Sequence, residues 1–396
     1  MKIYLKLLIS NKTLLRLSTI QLICYFGAWF SHMAIYSLLI ELHAPIWTIS
    51  AAAVFTFIPS MILAPFTGVL IDKLPTKPLM ITLITIEIVT VCMLLMIDSL
   101  ELIWLLLALV FVRMGVGSAY FQTEMSLLPK ILKPNDLKLA NEIHSIIWSI
   151  SYTAGMGIAG FYVYMFGVTS AFITDALLYC AGFLLIIGIK IPSISQEKRQ
   201  DTLFMLKDGF LYLKKNPKIM HIIFLHAIMG FTAYDALVAL LADKIYYAFL
   251  APPIVIGSIN SLRALSLTVG SAVLSKYINI KTFHLIFFAQ GAGIIIWGIL
   301  QSNFYLSLIG ILLTGFFSSS IWSYTYTLLQ QSTDKAYYGR IIAYNDMCIM
   351  GISAFTSFLI GFLYRYGLTL WCITLMLGVI LLIAGVYYMW VRKTYM

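Results

Sequence analysis

The sequence predicts an all-α polytopic membrane protein: twelve transmembrane helices in two pseudo-symmetric six-helix halves, with the N- and C-termini in the cytoplasm. Three observations predict it. Of the 396 residues, 61% are hydrophobic and 11% charged, against about 45–50% and about 25% in a soluble domain. The apolar residues form continuous runs near the ~20 residues that span a bilayer as a helix, not the alternation of a membrane β-barrel. Finally, the basic residues collect in alternate loops. So little polar surface excludes a soluble enzyme, a nucleic-acid-binding domain and a disordered chain, although the net charge is +10.

The spans follow in order, and Lys and Arg mark the loops that stay inside. Lys2, Lys6, Lys12 and Arg16 lead into span 1 (15–40), which serves as targeting signal as well as first helix and has no cleavage-site pattern. Span 2 (47–70) ends at Lys73 and Lys77, before span 3 (79–98). Span 4 (102–126) ends at Lys130, Lys133 and Lys138, before spans 5 (142–165) and 6 (168–189). Lys190, Lys198, Arg199, Lys207, Lys214, Lys215 and Lys218 fill the longest polar stretch, ahead of spans 7 (219–242) and 8 (254–275). Lys276 and Lys281 precede spans 9 (282–301) and 10 (304–328). Lys335 and Arg340 precede spans 11 (341–363) and 12 (368–391), and Arg392 and Lys393 close the chain. Of the 26 basic residues only Lys244 and Arg365 fall outside and Arg113 and Arg263 deep within spans, the bias that retention of positive loops in the cytoplasm produces.

The stretch 190–218 divides residues 1–189 from residues 219–396. Leu203, Phe204, Leu206, Phe210, Leu211 and Leu213 against Lys207 and Asp208 predict a short amphipathic helix on the inner membrane surface. A weak repeat supports the halves. GVLIDKLPTK (68–77) after span 2 matches SAVLSKYINIK (271–281) after span 8, and LKPNDLKLAN (132–141) matches STDKAYYGRI (332–341). Parallel repeats of this kind enclose a cavity that opens alternately to each side. The odd set Cys24, Cys92, Cys180, Cys348 and Cys372 lies inside spans and reads as packing residues, neither disulfides nor a zinc site.

Polar groups inside spans carry the functional candidates, because an ionisable group at membrane depth is expensive and normally has a partner or a task. In span 1, Gln21, Tyr25, Trp29, His32 and Tyr36 recur at intervals of 4, 4, 3 and 4, which is one helix face. The stripe reads as a pocket wall for a bulky organic solute. Helix packing plus an interfacial aromatic belt is the alternative, and it claims Tyr36 more readily than Trp29. In span 4, Arg113, Gly117, Tyr120 and Glu124 at offsets 0, 4, 7 and 11 make a second stripe; here the alternative is an arginine paired for packing. Asp235 in span 7 and Arg263 in span 8 lie at similar depth, at ~1.5 Å of rise per residue. They read as a pair, either a switch in which protonating Asp235 frees Arg263 for an anionic substrate group or a permanent structural pair. Asp346, beside Asn345, and Glu124 are further candidates for carrying a proton.

Among His32, His43, His144, His221, His226 and His284 no two share i, i+4 spacing within a span. No metal site is expected, His32 and His226 being weak candidates at most. Neither a P-loop nor a G-x-S-x-G elbow is present, so neither direct use of ATP nor enzymatic activity is expected.

The loop motifs resemble those of the major facilitator superfamily. Gly68, Leu70, Asp72, Lys73 and Lys77 match its G-x-L-x-D-R/K-x-x-x-R/K signature. Residues 11–30, 127–143 and 338–346 resemble the entry to helix 1, the loop after helix 4 and the loop into helix 11 of the branch containing macrolide efflux pumps and the enterobactin exporter. Ala28 follows Gly27 where that branch often has an acidic residue, and GMGIAG (155–160) puts Met156 where its antiporter motif has proline. The resemblance implies that helices 1, 4, 7 and 10 line the cavity. That places Trp322 and Tyr326 of span 10 on the substrate side with Gln21, Tyr25, Trp29, His32, Tyr36, Arg113 and Tyr120; Arg263 of span 8 joins them on the switch reading, as a partner for an anionic substrate group. Arg113 matches a motif arginine linked to proton movement, whereas Glu87 and Asp175 fall in scaffold helices 3 and 6. Asp72 would latch the inner side against the positive start of helix 11, with Gly68, Lys73, Lys77 and Arg340 completing the gate.

The expected function is a secondary active transporter working by alternating access in the bacterial cytoplasmic (inner) membrane. It needs no cofactor and is driven by an ion gradient, with H+ as the expected ion. It exports an amphipathic organic molecule, drug-like or siderophore-like, as a monomer whose partners are that substrate and the lipid bilayer, with no nucleic acid. The alternatives are a divalent transition-metal exporter and a non-transporting sensor with the same fold.

Overall fold

In lipid a backbone finds no water, so each span must satisfy its N–H and C=O groups internally; the apolar runs accordingly become helices. The computed structural model describes residues 2–189, 202–274, 277–334 and 337–396. A short α1 (Lys2–Ser10) precedes α2 (Lys12–Glu41), which is span 1, α3 (Ile46–Lys73), α4 (Thr76–Leu94) and α5 (Ile103–Ile131). The long α6 (Pro134–Ile187) contains spans 5 and 6. After it come α7 (Thr202–Lys215), α8 (Pro217–Ala227) and α9 (Asp235–Leu240), then α10 (Pro252–Leu274), α11 (Phe283–Leu300), α12 (Phe304–Ser332), α13 (Tyr338–Arg365) and α14 (Leu370–Tyr395). Among the described residues eleven helices are long and apolar enough to cross a membrane. One of them is double: α6 turns at Gly167, whose φ of 79° and ψ of 170° suit a residue without a Cβ. This yields the predicted spans 5 and 6, and so twelve crossings.

Local chemistry sets the helix starts. Asn11 caps α2 by accepting from the Leu14 N–H at 2.9 Å, and Asn303 does the same for α12 with Leu306 at 3.2 Å. Proline opens α6 and α8, where its missing N–H is no loss. The C-terminal end of α6 is held by two cations: Lys77 donates to the Ile187 carbonyl and Arg16 to that of Gly188, each at 2.7 Å.

Span 7 departs from the expected single helix. After α8 the chain tightens into a 3₁₀ turn over Ile228–Thr232, breaks at Ala233 (ψ 85°), resumes as α9 and ends in a π turn over Leu241–Ile245. Two contacts explain the break. Gly230 lies so close to α13 that a Cβ would stand 2.7 Å from the Ser353 backbone nitrogen, and the freed Thr232 carbonyl is taken by Arg263 at 2.7 Å. Irregular backbone at membrane depth is tolerated only where its polar groups are met in this way.

The chain folds into two compact units. The first comprises Met1–Ala44 and Leu63–Lys198, the second Pro45–Ile62 and Arg199–Met396. The sequence division at 190–218 leaves all of α3 in the first half; in the structure its opening part belongs to the second unit, where Ser50 abuts Gly361 of α13. In the first unit Leu17, Ile20 and Cys24 pack with Leu83, Ile84, Tyr120, Tyr179 and Ile186. In the second, Leu213, Ile219, Ile222, Leu329 and Ile341 form the core at the predicted cytoplasmic end. The cysteines are all free; Cys24 is buried, while Cys92 and Cys348 are exposed rather than packed.

The amphipathic helix predicted at 203–213 is α7. Its Leu213 joins the core of the second unit, and Gly209 lies against Arg340 and Tyr344. Tyr212 stacks on Tyr337 with centroids 4.1 Å apart and its hydroxyl donates to Asp334 at 3.1 Å. Asp208 pairs with Arg340 at 2.5 Å, a partly exposed pair of the kind worth about 0–1 kcal/mol. Packing rather than charge therefore holds α7. Tyr212→Ala should speed tryptic cutting at the exposed Lys214 and Lys215 severalfold, while Asp208→Asn should leave the rate within about twofold. Faster cutting in Asp208→Asn than in Tyr212→Ala would show that the ion pair dominates.

Candidate functional site

In the first unit, α2 turns Tyr25, Trp29 and His32 half-buried onto the predicted face, with Gln21 and Tyr36 buried at its ends. A second stripe from α6 meets it, which the sequence analysis missed although its signal is plain: His144, Trp148 and Tyr152 stand four residues apart in HSIIWSISY. Trp29 stacks on Tyr152 at 4.4 Å and 26°. Gly155 makes room for the indole, since a Cβ there would lie 2.8 Å from Trp29 Cδ1. His32 sits edge-on between Trp29 at 5.6 Å and Tyr36 at 5.1 Å. Tyr25 meets His144 edge-on at 6.0 Å, and the Gln21 amide donates to His144 Nδ1 at 2.6 Å. Phe121 of α5 completes the wall 5.0 Å from His144. Trp148 and Phe121 remain 44% and 39% exposed, so ring faces stay open to a ligand. Planar rings with polar tips bind amphipathic ring systems by stacking and edge contacts.

The opposite face of α2 holds a buried charge cluster. Arg113 of α5 pairs with Asp175 of α6 at 2.5 Å and with Glu87 of α4 at 3.7 Å. Ser31 of α2 donates to the same Asp175 oxygen, and the Arg113 guanidinium lies 5.4 Å from the Tyr179 ring centre. Gly27 and Gly117 leave room for the carboxylates: a Cβ at Gly27 would come within 2.6 Å of Asp175 Oδ1, and one at Gly117 within 3.3 Å of Glu87 Oε1. Arg113 and Tyr120, expected on the cavity wall, are instead buried at 1% and 7% exposure. The physical reason is that Arg113 finds its two carboxylates inside the unit and turns the whole α5 stripe inward. Glu124, one turn beyond Tyr120, is buried as well, and its Oε2 has no hydrogen-bond partner among the described residues.

In the second unit a smaller cluster gathers four candidates. His226 of α8 accepts from or donates to Thr325 at 2.7 Å through Nδ1. Its ring lies edge-on to Trp322 at 4.5 Å and Tyr326 at 4.9 Å. The Tyr326 hydroxyl donates to Asp346 of α13, which also accepts from Asn345 at 3.3 Å. His226 Nε2 is buried without a hydrogen-bond partner among the described residues. Trp322 is 40% exposed. Arg263 bonds the Thr232 carbonyl and covers the Tyr234 ring at 4.8 Å; Asp235, half-buried, opens α9.

Of the five residues expected to form the gate, the structure describes the side chains of two. Gly68, Asp72 and Lys73 lie outside the residues whose side chains are described. Lys77 is engaged at the end of α6 and Arg340 at α7, as above. No group of three His, Cys, Asp or Glu side chains able to hold a metal occurs among the described residues; His32 and His226 keep aromatic company instead.

The sequence profile of the Major Facilitator Superfamily matches residues 17–279. The chain belongs to the Major Facilitator Superfamily. A curated relative, the uncharacterized MFS-type transporter YkuC of Bacillus subtilis (strain 168), is 27% identical over 137 residues, a match covering 32% of this chain and 32% of that protein. Solved structures agree in fold over nearly the whole length. The nucleoside transporter NupG superposes with a TM-score of 0.75 at 15% identity, over 96% of this chain and 99% of that one. The POT family transporter PepTSo gives 0.76 at 10% identity, over 97% and 98%. A bacterial homologue of the iron transporter ferroportin, in an inward-facing state, gives 0.69 at 15% identity, over 95% and 98%. Identities this low bear on fold alone. As a Major Facilitator Superfamily member the chain is a multi-pass membrane transporter, and its aromatic wall and buried charges are features of its own sequence.

Proposed function

We propose that this transporter is a proton-coupled exporter of an amphipathic organic molecule bearing a planar ring, working by alternating access in the bacterial cytoplasmic membrane. The observation that carries the reading is the wall of α2 and α6. Its partly open rings of Tyr25, Trp29, His32 and Trp148, backed by the buried Tyr152, offer stacking and few fixed charges, which suits a drug-like or siderophore-like solute better than a small hydrophilic one. The Trp322, Tyr326 and His226 cluster repeats that chemistry in the second unit. Export, rather than uptake, is supported by the loop motifs at 127–143 and 338–346. Metal export would need ligand clusters, and both weak candidates, His32 and His226, sit among rings.

The reading is tested with everted vesicles and a pH dye, adding macrolides and siderophores in one panel and nickel, cobalt, iron and manganese in another. A proton flux driven by an organic compound supports the proposal; a response to the metals alone would replace it with the metal exporter, and ligand binding without flux with the sensor. Within the organic series, Trp29→Ala and Tyr152→Ala should each raise the half-saturating concentration about tenfold. That corresponds to about 1.4 kcal/mol, close to what a buried aromatic pair contributes beyond area. Unchanged half-saturation in both variants would remove the wall from substrate binding.

A further inference from the structure

We propose that Glu87, Asp175 and Arg113 form a single proton-binding unit whose one exchangeable proton is the proton moved in each transport cycle, with Glu87 as its carrier. The inference deepens the proton-coupled reading above and rests on it. Its first ground is charge balance. The three side chains are 3%, 0% and 1% exposed, so the group carries −1 with both carboxylates ionised and zero with one proton bound. An uncompensated ion in such an interior costs several kcal/mol, and a single proton removes it.

The second ground is asymmetry. Arg113 Nη2 holds Asp175 at 2.5 Å while its Nε is 3.7 Å from Glu87. Asp175 Oδ2 has a second donor in Ser31, whereas Glu87 Oε2 has no hydrogen bond among the described residues; Asp175 Oδ1 and Arg113 Nη1 are likewise without one. With the proton on Glu87, the Arg113–Asp175 pair stands as seen. With the proton gone, Arg113 Nε, 3.7 Å from Glu87 Oε2, is the donor that must close on it, and the guanidinium is shared between two anions. The group thus has two arrangements that differ by one proton, the bistable element that coupling requires. The other titratable groups facing it are Cys24 of α2, which also faces Glu124, and Tyr179 of α6.

The third ground is the connection to the substrate wall. Ser31 and Gly27, two residues either side of Trp29, lie about 160° around α2 from it at 100° per residue. One rigid helix therefore bears the rings on one side and the Asp175 contacts on the other. A Cβ on Gly27 would lie 2.6 Å from Asp175 Oδ1 and Ser31 bonds the other oxygen, so the position of that carboxylate and the position of α2 are linked.

The experiment uses the full chain in proteoliposomes, with a macrolide or siderophore found active in the vesicle assay as probe, reading proton flux by pH dye and substrate exchange by counterflow. Glu87→Gln, nearly isosteric, should lose substrate-driven proton flux at least tenfold while counterflow persists. Asp175→Asn should show the same split, and the exposed Asp98→Asn and Glu101→Gln should stay coupled. Infrared difference spectra between acidic and alkaline buffer should show a carboxylic C=O band in the wild type that Glu87→Gln lacks. Should a variant fail to fold, that band in the remaining one decides. Wild-type flux in Glu87→Gln, loss of coupling in Glu124→Gln or Asp346→Asn alone, or an unchanged band in both cluster variants would overturn this assignment and leave proton coupling standing. Counterflow without any proton movement in the wild type would overturn both.

Discussion

Arg113→Leu should destabilise the protein by about 3–5 kcal/mol, the cost of removing one partner from a buried ion group. The loss is large because it compounds. Glu87 and Asp175, both at most 3% exposed, would be left facing a core of Leu83, Ile84 and Tyr179 with no cation between them. Asp175 would keep only Ser31. The companion variant separates packing from coupling. Replacing the group as a whole, with Arg113→Leu, Asp175→Leu and Glu87→Gln together, should recover most of the stability, since exchanging a buried ion group for apolar residues is often neutral or favourable by about 1–4 kcal/mol. Thermal melting in detergent reads the stabilities. A single variant that melts within a degree or two of wild type would mean that water reaches the cluster. If the triple variant regains stability but not proton flux, the charges serve transport; if it regains both, they serve packing.

How far the sequence discloses all this depends on whether a feature is local. The spans are local, being runs of apolar side chains bounded by lysines, and the structure puts helices there. Gly167 ending span 5, and the polar and apolar sides of α7 at Lys207, Phe210 and Leu213, are equally local. So is the α2 stripe, and so is its partner His144, Trp148 and Tyr152, whose four-residue spacing is legible in the sequence. The orientation of a stripe is not local. Spacing places Arg113, Gly117, Tyr120 and Glu124 on one face of α5, but whether that face turns to a cavity or to the interior depends on Glu87 and Asp175, which lie on other helices. Read as scaffold, those two carboxylates gave no reason to turn Arg113 inward. The break in span 7 is hidden for the same reason: Gly230 alone marks an ordinary helical glycine, and only its approach to Ser353 together with the bond from Arg263 to Thr232 makes the irregular backbone affordable at that depth.

Gly270→Ala should be the most damaging single-methyl change in the second unit, costing about 3 kcal/mol or more, at the upper end of what overpacking a tight interface brings. Without a hydrophobic force between helices in lipid, association relies on close backbone approach at small residues, and α10 and α12 meet that way. A Cβ on Gly270 would overlap the Phe316 carbonyl oxygen and come within 2.6 Å of its carbon. Both are backbone atoms, so no rotamer change relieves the clash. The contact is reciprocal, because a Cβ on Gly315 of α12 would overlap the Ser266 hydroxyl and lie 2.6 Å from the Arg263 carbonyl oxygen of α10. Parting these helices would also move Arg263, whose guanidinium closes the broken backbone at Thr232, so the damage should spread to span 7. Gly188→Ala is the matched control: its nearest neighbour would be the Leu185 carbonyl oxygen at 3.6 Å, an ordinary contact, and its melting temperature should not change. Detergent melting of the two variants checks the contrast, and amide hydrogen exchange over residues 228–245 checks its spread. A Gly270→Ala protein as stable as Gly188→Ala would mean that α10 and α12 can separate freely, and the tight seam would then carry none of the stability assigned to it.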